Sequence, residues 1–370
     1  MENILPSIAA FGNPLWDVCI TLPDNSVLSQ FGLADDSSKE VTAAEYESLL
    51  KAVQRYPKEG CPGGAALNTL RVFQWLMKIP KSSLFLGGVG KDIIGEQLAH
   101  LVDNAGVSGR FKIHENLLTG SAICLIHGAS RTLLAHLGAA EVYHLQDFTE
   151  EDRNNVKKVN LVYIENFFFS HSPSVVWDVV KLCETHHIAI AFNLSGSYLF
   201  EKNGADIVSL VKCVNVVIGN ESEYLALAKS IGWNHNDVVG IASKIANIGI
   251  QPASSLSSSD GKAIRVENLA KWKKVVAITR GQKPVICANQ ENPEFETPVL
   301  QPRFVKDTTG AGDAFVAGFL LGILQNFTLQ ECIQYGCYAS KEIIQQIGCS
   351  PPNYNPLGIE EVKMAFASST

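Results

Sequence analysis

The sequence predicts an α/β chain: a doubly wound, mostly parallel sheet flanked by helices, with a small β-rich lid. Short, nearly continuous apolar runs alternate with longer segments of helical periodicity. Two further stretches interrupt that rhythm with one-sided alternation.

The apolar runs read as strands buried on both faces: SIAAFG at 7–12, SLFLGG at 83–88, LVYIE at 161–165, IAIAFNLS at 188–195, VNVVIGN at 214–220 and VVAITRG at 275–281. Helices fit between them. AALNTLRVFQWLM (65–77) places Leu67, Leu70, Val72, Phe73 and Leu76 near one face. IIGEQLAHLVDNAG (93–106) closes on Gly106, suited to a left-handed C-terminal position. SPSVVWDVVKLCETHH (172–187) opens with Ser172 as N-cap and Pro173 in the first helical position. Residues 18–26 and 119–137 read as sheet exposed on one face, the latter a hairpin around a Gly-Ala-Ser turn. They suggest a lid formed by about 18–60 and 115–140, with the remainder as a large α/β domain. The polar stretch SSLSSSDGK (254–262) reads as a surface insertion.

Composition narrows the function. A chain of 370 residues suits one large domain with a smaller appendage. The formal net charge of −7, without a Lys/Arg cluster, argues against nucleic acid as a partner. No apolar run reaches the roughly 18 residues of a membrane span. The N-terminal stretch lacks the positive region of a secretory signal. A cytoplasmic protein is the expectation, with the nucleus as the alternative, and a monomer rather than a dimer. The nine cysteines form no CxxC pair and read as reduced core thiols.

The chemistry concentrates in DTTGAGDAFVAGFL, residues 307–320. Gly310, Ala311 and Gly312 precede an acid, Asp313, where an apolar helix begins. Such a loop leaves backbone N–H groups free to cradle an anion, helped by the helix dipole. A carboxylate there suits phosphoryl transfer to an alcohol: it accepts the hydroxyl proton while the N–H groups hold the moving charge. Alone, the tetrapeptide fits equally well a plain helix start with Asp313 on the dipole. The chain has no GxxxxGK[ST] loop and no GxGxxG after its first strand.

The longer string resembles the signature of the ribokinase (PfkB) family of carbohydrate and nucleoside kinases, sharing Asp307, Gly310–Ala311, Asp313 and Ala317–Gly318. The resemblance runs from about residue 8 to 352. GNPLWD, NTLRVFQWL, RTLLAHLGAA, FNLS, GNESE and IIQQIGCSPP are similar to the adenosine kinases of eukaryotes in particular. It implies a ribokinase-like fold, ATP as phosphoryl donor, Mg²⁺ as cofactor and adenosine as the small-molecule acceptor, phosphorylated at its 5′-hydroxyl in purine salvage. By this resemblance Asp313 is the general base, Gly310, Ala311 and Gly312 the anion cradle, and Arg131 a lid arginine that neutralises the moving phosphate. Asn13, Asp17, Gly63, Gly64 and Asn68 would bind the acceptor's ribose end, and Phe168 would stack on its base. Asn220, Thr279, Gly281 and Thr308 would face ATP, with Glu223, through water, and Asn220 serving the metal. From the residues alone, Asp17 also fits a turn cap, Arg131 a solvated turn residue, and Asn220 with Glu223 a capping box. The chain departs from the resemblance at Ala65, Leu67, Thr309, Glu165, Asn166, Tyr198 and the charged SSKEV segment (37–41). These departures concern the acceptor, leaving a sugar kinase, another nucleoside kinase or a catalytically weak nucleoside-binding protein as alternatives.

Overall fold

In chain order the strands are β1 (Ile8–Phe11), β2 (Leu15–Thr21), β3 (Ser38–Glu40), β4 (Glu59–Gly63), β5 (Ser83–Gly90), β6 (Ser108–His114), β7 (Ser121–His127), β8 (Ser130–His136), β9 (Leu161–Glu165), β10 (Ala189–Asn193), β11 (Val216–Asn220), β12 (Val275–Arg280), β13 (Lys283–Asn289) and β14 (Phe295–Thr297). The computed structural model describes residues 7–35, 37–128, 130–234, 237–253, 264–292 and 294–368. Among these, nine strands make one sheet in the order β14-β13-β12-β11-β10-β9-β1-β5-β6, and five make a second in the order β3-β8-β7-β2-β4. The large sheet is parallel from β6 to β12, and β13 and β14 add to it antiparallel. The fold is therefore α/β around a mostly parallel sheet.

Alternation along the strands explains the double-sided burial. Ile8 and Ala10 of β1 enter one apolar core, while Ala9 and Phe11 enter the other. Leu161 and Tyr163 of β9 divide from Val162 and Ile164 in the same way. Each face is covered by helices, as a parallel sheet with crossover connections requires.

The apolar runs account for β1, β5, β9, β10, β11 and β12. The other three strands of the large sheet lack that pattern for physical reasons. β6 is an edge strand with no fully buried residue. β13 follows β12 after only two residues, and its own apolar run, VICA, is four residues long. β14 is three residues long.

In the small sheet the expected hairpin is β7–β8, antiparallel, with Gly128 at a φ of 60° in its turn. The strand near residue 20 is β2, placed a few residues earlier than its alternation suggests. β3 and β4 are the two edges. β3 is short and polar, and β4 carries Pro62 between Cys61 and Gly63, a composition that sheets accept at an edge.

The helix Ala65–Met77 forms as predicted, and Gly106 takes φ 81° just beyond the helix Ile93–Asn104. Pro173 opens the helix Pro173–His186, but Ser172 is not its side-chain cap. The Ser172 hydroxyl donates instead to the Tyr143 carbonyl at 2.7 Å. The stretch 254–262 lies outside the described residues. All nine cysteines are free thiols, and only Cys61 and Cys213 are more than slightly exposed. Among the described residues no helix is long and apolar enough to cross a membrane.

Helix Ala311–Leu324 is apolar on nearly all sides and packs against helix Leu329–Ile343. Gly318 makes that approach possible: a Cβ there would stand 2.5 Å from the Tyr335 carbonyl oxygen. Backbone cannot rotate away as a side chain can. Gly318→Ala is expected to destabilise the fold by about 1–3 kcal/mol. Urea denaturation checks this; an unchanged midpoint would show that the helices have room to separate.

Candidate active site

The carboxyl ends of the parallel strands deliver most of the site. Asn13 follows β1, Glu165 ends β9, Ser195 follows β10, Asn220 ends β11 and Thr279 nears the end of β12, and all line one cleft of 560 Å³. That placement is where open α/β sheets collect ligands. The small sheet supplies the facing wall, with Asp17 from β2 and Arg131 from β8.

The loop before helix Ala311–Leu324 is built around Asp307. This buried carboxylate accepts from the Thr309 N–H at 2.8 Å and its hydroxyl at 2.6 Å. Its other oxygen accepts from Gly348 N–H at 2.8 Å. Asp307 thus shapes the loop, a role its place at the head of the string does not reveal. Gly310 caps the helix at φ 77°, and a Cβ there would lie 2.4 Å from Cys349. Gly312 faces open space, so a ligand can approach its backbone.

Asp313 sits half-buried in the first turn of this helix. Its Oδ2 accepts from Asn68 Nδ2 at 3.0 Å, and its carbonyl accepts from the Thr69 hydroxyl at 3.3 Å. Arg71, one turn along, donates to Asn68 Oδ1 at 3.4 Å and to the Pro62 carbonyl at 3.0 Å. The amide of Asn68 is therefore oriented with its NH₂ group toward Asp313. Desolvation pushes the Asp313 carboxyl up to about 6, opposed by the Asn68 hydrogen bond and the Arg131 charge.

Asp17, the second acid of the cleft, is buried. Burial pushes it up to about 7, with Arg131 and Arg71 opposing and Asp313 adding to the rise. Gly63 makes room for it: a Cβ there would overlap the carboxylate at 2.0 Å. Gly64, at φ 94°, does the same for the Asn13 carbonyl oxygen at 2.1 Å. Gly64 lines the cleft; Gly63 lies behind Asp17.

Glu165 is the third acid. It accepts from the Asn13 N–H at 3.4 Å, with the Ala66 N–H also favouring its charged form, while its Oε2 has no hydrogen-bond partner. Burial, reinforced by Asp313, pushes it up to about 8.

Glu223 completes the set at the far wall. Its oxygens accept from Asn220 N–H at 2.9 Å, Asn220 Nδ2 at 3.0 Å and Gly196 N–H at 3.0 Å. Asn220 in turn caps the helix Glu221–Ile231. The capping box is real, and both side chains still line the cleft. Burial raises the Glu223 carboxyl above its ordinary range.

Two expectations fail. Phe168 is fully buried, packed in the core against Phe11 and Tyr143 with ring centroids 5.9 and 5.8 Å away. Phe167 lines the cleft instead, beside Tyr198 at 6.5 Å. Three consecutive phenylalanines on one short helix point in three directions, and periodicity does not select among them. Gly281 stands in the β12–β13 turn and does not line the cleft, whereas Thr279 and Thr308 do. Among the departing residues, Ala65, Glu165 and Tyr198 line the cleft with Thr309, while Leu67 and Asn166 are buried away from it.

The family model described as pfkB family carbohydrate kinase matches residues 40–261 and 253–355. Adenosine kinase 2 of Arabidopsis thaliana is 29% identical over 348 residues, 93% of this chain and 95% of the relative. The adenosine kinase of Dictyostelium discoideum is 26% identical over 96% of this chain and 99% of its own. Among solved structures, Anopheles gambiae adenosine kinase in complex with P1,P4-di(adenosine-5) tetraphosphate superimposes with a TM-score of 0.81 at 27% identity, covering 94% of this chain and 99% of that one. Adenosine kinase from Schistosoma mansoni in complex with 2-fluoroadenosine gives 0.83 at 25% identity, covering 94% and 97%.

The raised carboxyls make stability depend on pH. Glu165 moves from 4.5 up to about 8, so the fold retains a proton that the unfolded chain releases. Its contribution is fully present below pH 4.5 and is lost as pH rises through 8. Asp17 and Asp313 act with the same sign. Glu165→Gln keeps an acceptor oxygen for Asn13 but cannot ionise. It should flatten the decline of unfolding free energy across that window. An unchanged slope in urea titrations at several pH values would remove Glu165 as its source.

Proposed function

The chain belongs to the pfkB family of carbohydrate kinases, and from that premise we propose that it transfers the γ-phosphoryl group of ATP to the 5′-hydroxyl of adenosine. The observation that carries this reading is Asp313 at a helix head behind an open glycine loop, oriented by Asn68. The adenosine kinases among its relatives, matched along nearly their whole length, support the acceptor.

In this reading the 5′-hydroxyl lies beside Asp313. With its carboxyl raised only to about 6, Asp313 is largely ionised at neutral pH and still basic enough to take the hydroxyl proton. The N–H groups of Gly312 and Asp313 stabilise the transferring phosphoryl group, whereas the Ala311 N–H already donates to the Thr308 carbonyl at 3.2 Å. Arg131 adds positive charge from the small sheet, which acts as the lid. Asp17 receives the ribose hydroxyls, and Asn68 shares its amide between them and Asp313. Phe167, rather than Phe168, offers its ring to the base.

Mg²⁺ suits this oxygen-rich wall. An ion of this kind is held mainly by phosphates and water. Asn220 and Glu223 would order its water shell, and the ion would offset negative charge on the phosphates. Glu223 already accepts three protein hydrogen bonds, which favours contact through water.

Asp313→Asn should leave the fold intact and lower kcat by roughly 10²–10⁴-fold. A variant keeping more than half of wild-type turnover would exclude Asp313 as the base. The acceptor is tested by competition. Adenosine should exceed inosine, ribose and fructose in kcat/KM, and 2′,3′-dideoxyadenosine should be a very poor substrate because Asp17 loses its partners. Ribose or fructose outcompeting adenosine would refute the adenosine assignment and leave a sugar kinase.

A further inference from the structure

β3 brings a carboxylate, Glu40, to the cleft from the edge of the small sheet, in parallel register with Ala135 of β8. The opposite wall holds it. Glu40 Oε1 lies 3.1 Å from His171 Nε2, at the end of helix Asn166–His171. The Tyr198 hydroxyl lies near enough to feel its charge. His171 also faces Glu141, with Nδ1 3.9 Å from that carboxylate, so its ring stands between two acids. Glu40 is thus fixed across the cleft rather than swinging in solvent.

Its surroundings differ from those of the reacting end. Arg131, Asp313 and Arg71 act on Asp17. Glu40 instead sits with Tyr198, whose ring tilts 39° to that of Phe167 at 6.5 Å. Leu133, Ala135 and Leu137 line the cleft from the small sheet. Two aromatic rings, aliphatic side chains and a fixed carboxylate on the same cleft suit a planar heterocycle that presents a hydrogen-bond donor.

Resting on the nucleoside-kinase reading, we propose that Glu40 is a specificity-determining residue that accepts a hydrogen bond from an exocyclic amino group on the acceptor's base. A carboxylate accepts and does not donate. An amine opposite it completes its partners. A bare ring hydrogen leaves it short of one, and a carbonyl sets lone pairs against it.

The test compares kcat/KM for adenosine and for purine riboside, which lacks the amine. The wild type should prefer adenosine, and Glu40→Ala should shrink that preference by roughly tenfold. Glu40→Gln, which keeps an acceptor oxygen, should shrink it less. An unchanged preference in Glu40→Ala, or an equal loss for both nucleosides, overturns the inference and leaves Glu40 as a contact between the two walls. If the wild type phosphorylates neither nucleoside but turns over a sugar, the nucleoside reading fails and this inference fails with it.

Discussion

The hydrogen bond from Asn68 to Asp313 joins the first turns of two helices that lie 245 positions apart in the chain. Both helices enter the same apolar core, Leu67, Leu70 and Phe73 from one and Phe315, Val316 and Phe319 from the other. Asparagine is a poor residue for a helix interior because its amide competes for backbone hydrogen bonds. Here Arg71 takes its oxygen and Asp313 takes its NH₂ group, so the cost is offset by two fixed directions. The packing sets the carboxylate's position to within a hydrogen-bond length. Without it, a glycine loop and an acid would be present but unaimed.

The acids around the cleft share one electrostatic condition. Asp17, Asp313, Glu165 and Glu223 are all raised, and burial is the largest cause in each. Their counterweights differ. Asp17 and Asp313 share the Arg131 charge, whereas Glu165 and Glu223 rely on backbone N–H groups and, for Glu223, the Asn220 amide. A site of this kind is held ready by the surrounding fold at some expense of stability, as perturbed groups in clefts commonly are. The all-apolar helix behind Asp313 and the double-sided burial of the central strands supply the compensating rigidity.

The division of labour between the sheets follows from their edges. The large sheet ends its parallel strands on one line, which collects Asn13, Glu165, Asn220 and Thr279. The small sheet has short or proline-bearing edges, β3 and β4, and these reach the cleft with Glu40 and frame Asp17. Strands that add little to a core are free to carry polar groups toward a ligand.

Much of this was legible in the chain. Continuous apolar runs of strand length, alternating with helical periodicity, sufficed for the parallel sheet, because burial on two faces leaves a local composition. That Gly310 to Asp313 form an open glycine loop feeding an apolar helix was legible too, because glycine content and helix polarity are local properties of backbone. The paired Asn220 and Glu223 were visible for the same reason. Tertiary contacts alone decided the rest. Which of Phe167 and Phe168 meets the cleft depends on how one short helix leaves β9. That Asp307 shapes the loop depends on Gly348, that Gly63 must lack a side chain depends on Asp17, and that Asn68 serves Asp313 depends on two helices meeting. Each of these joins groups whose sequence separation carries no local signature; only the packing of the core brings them within 3 Å or so of each other.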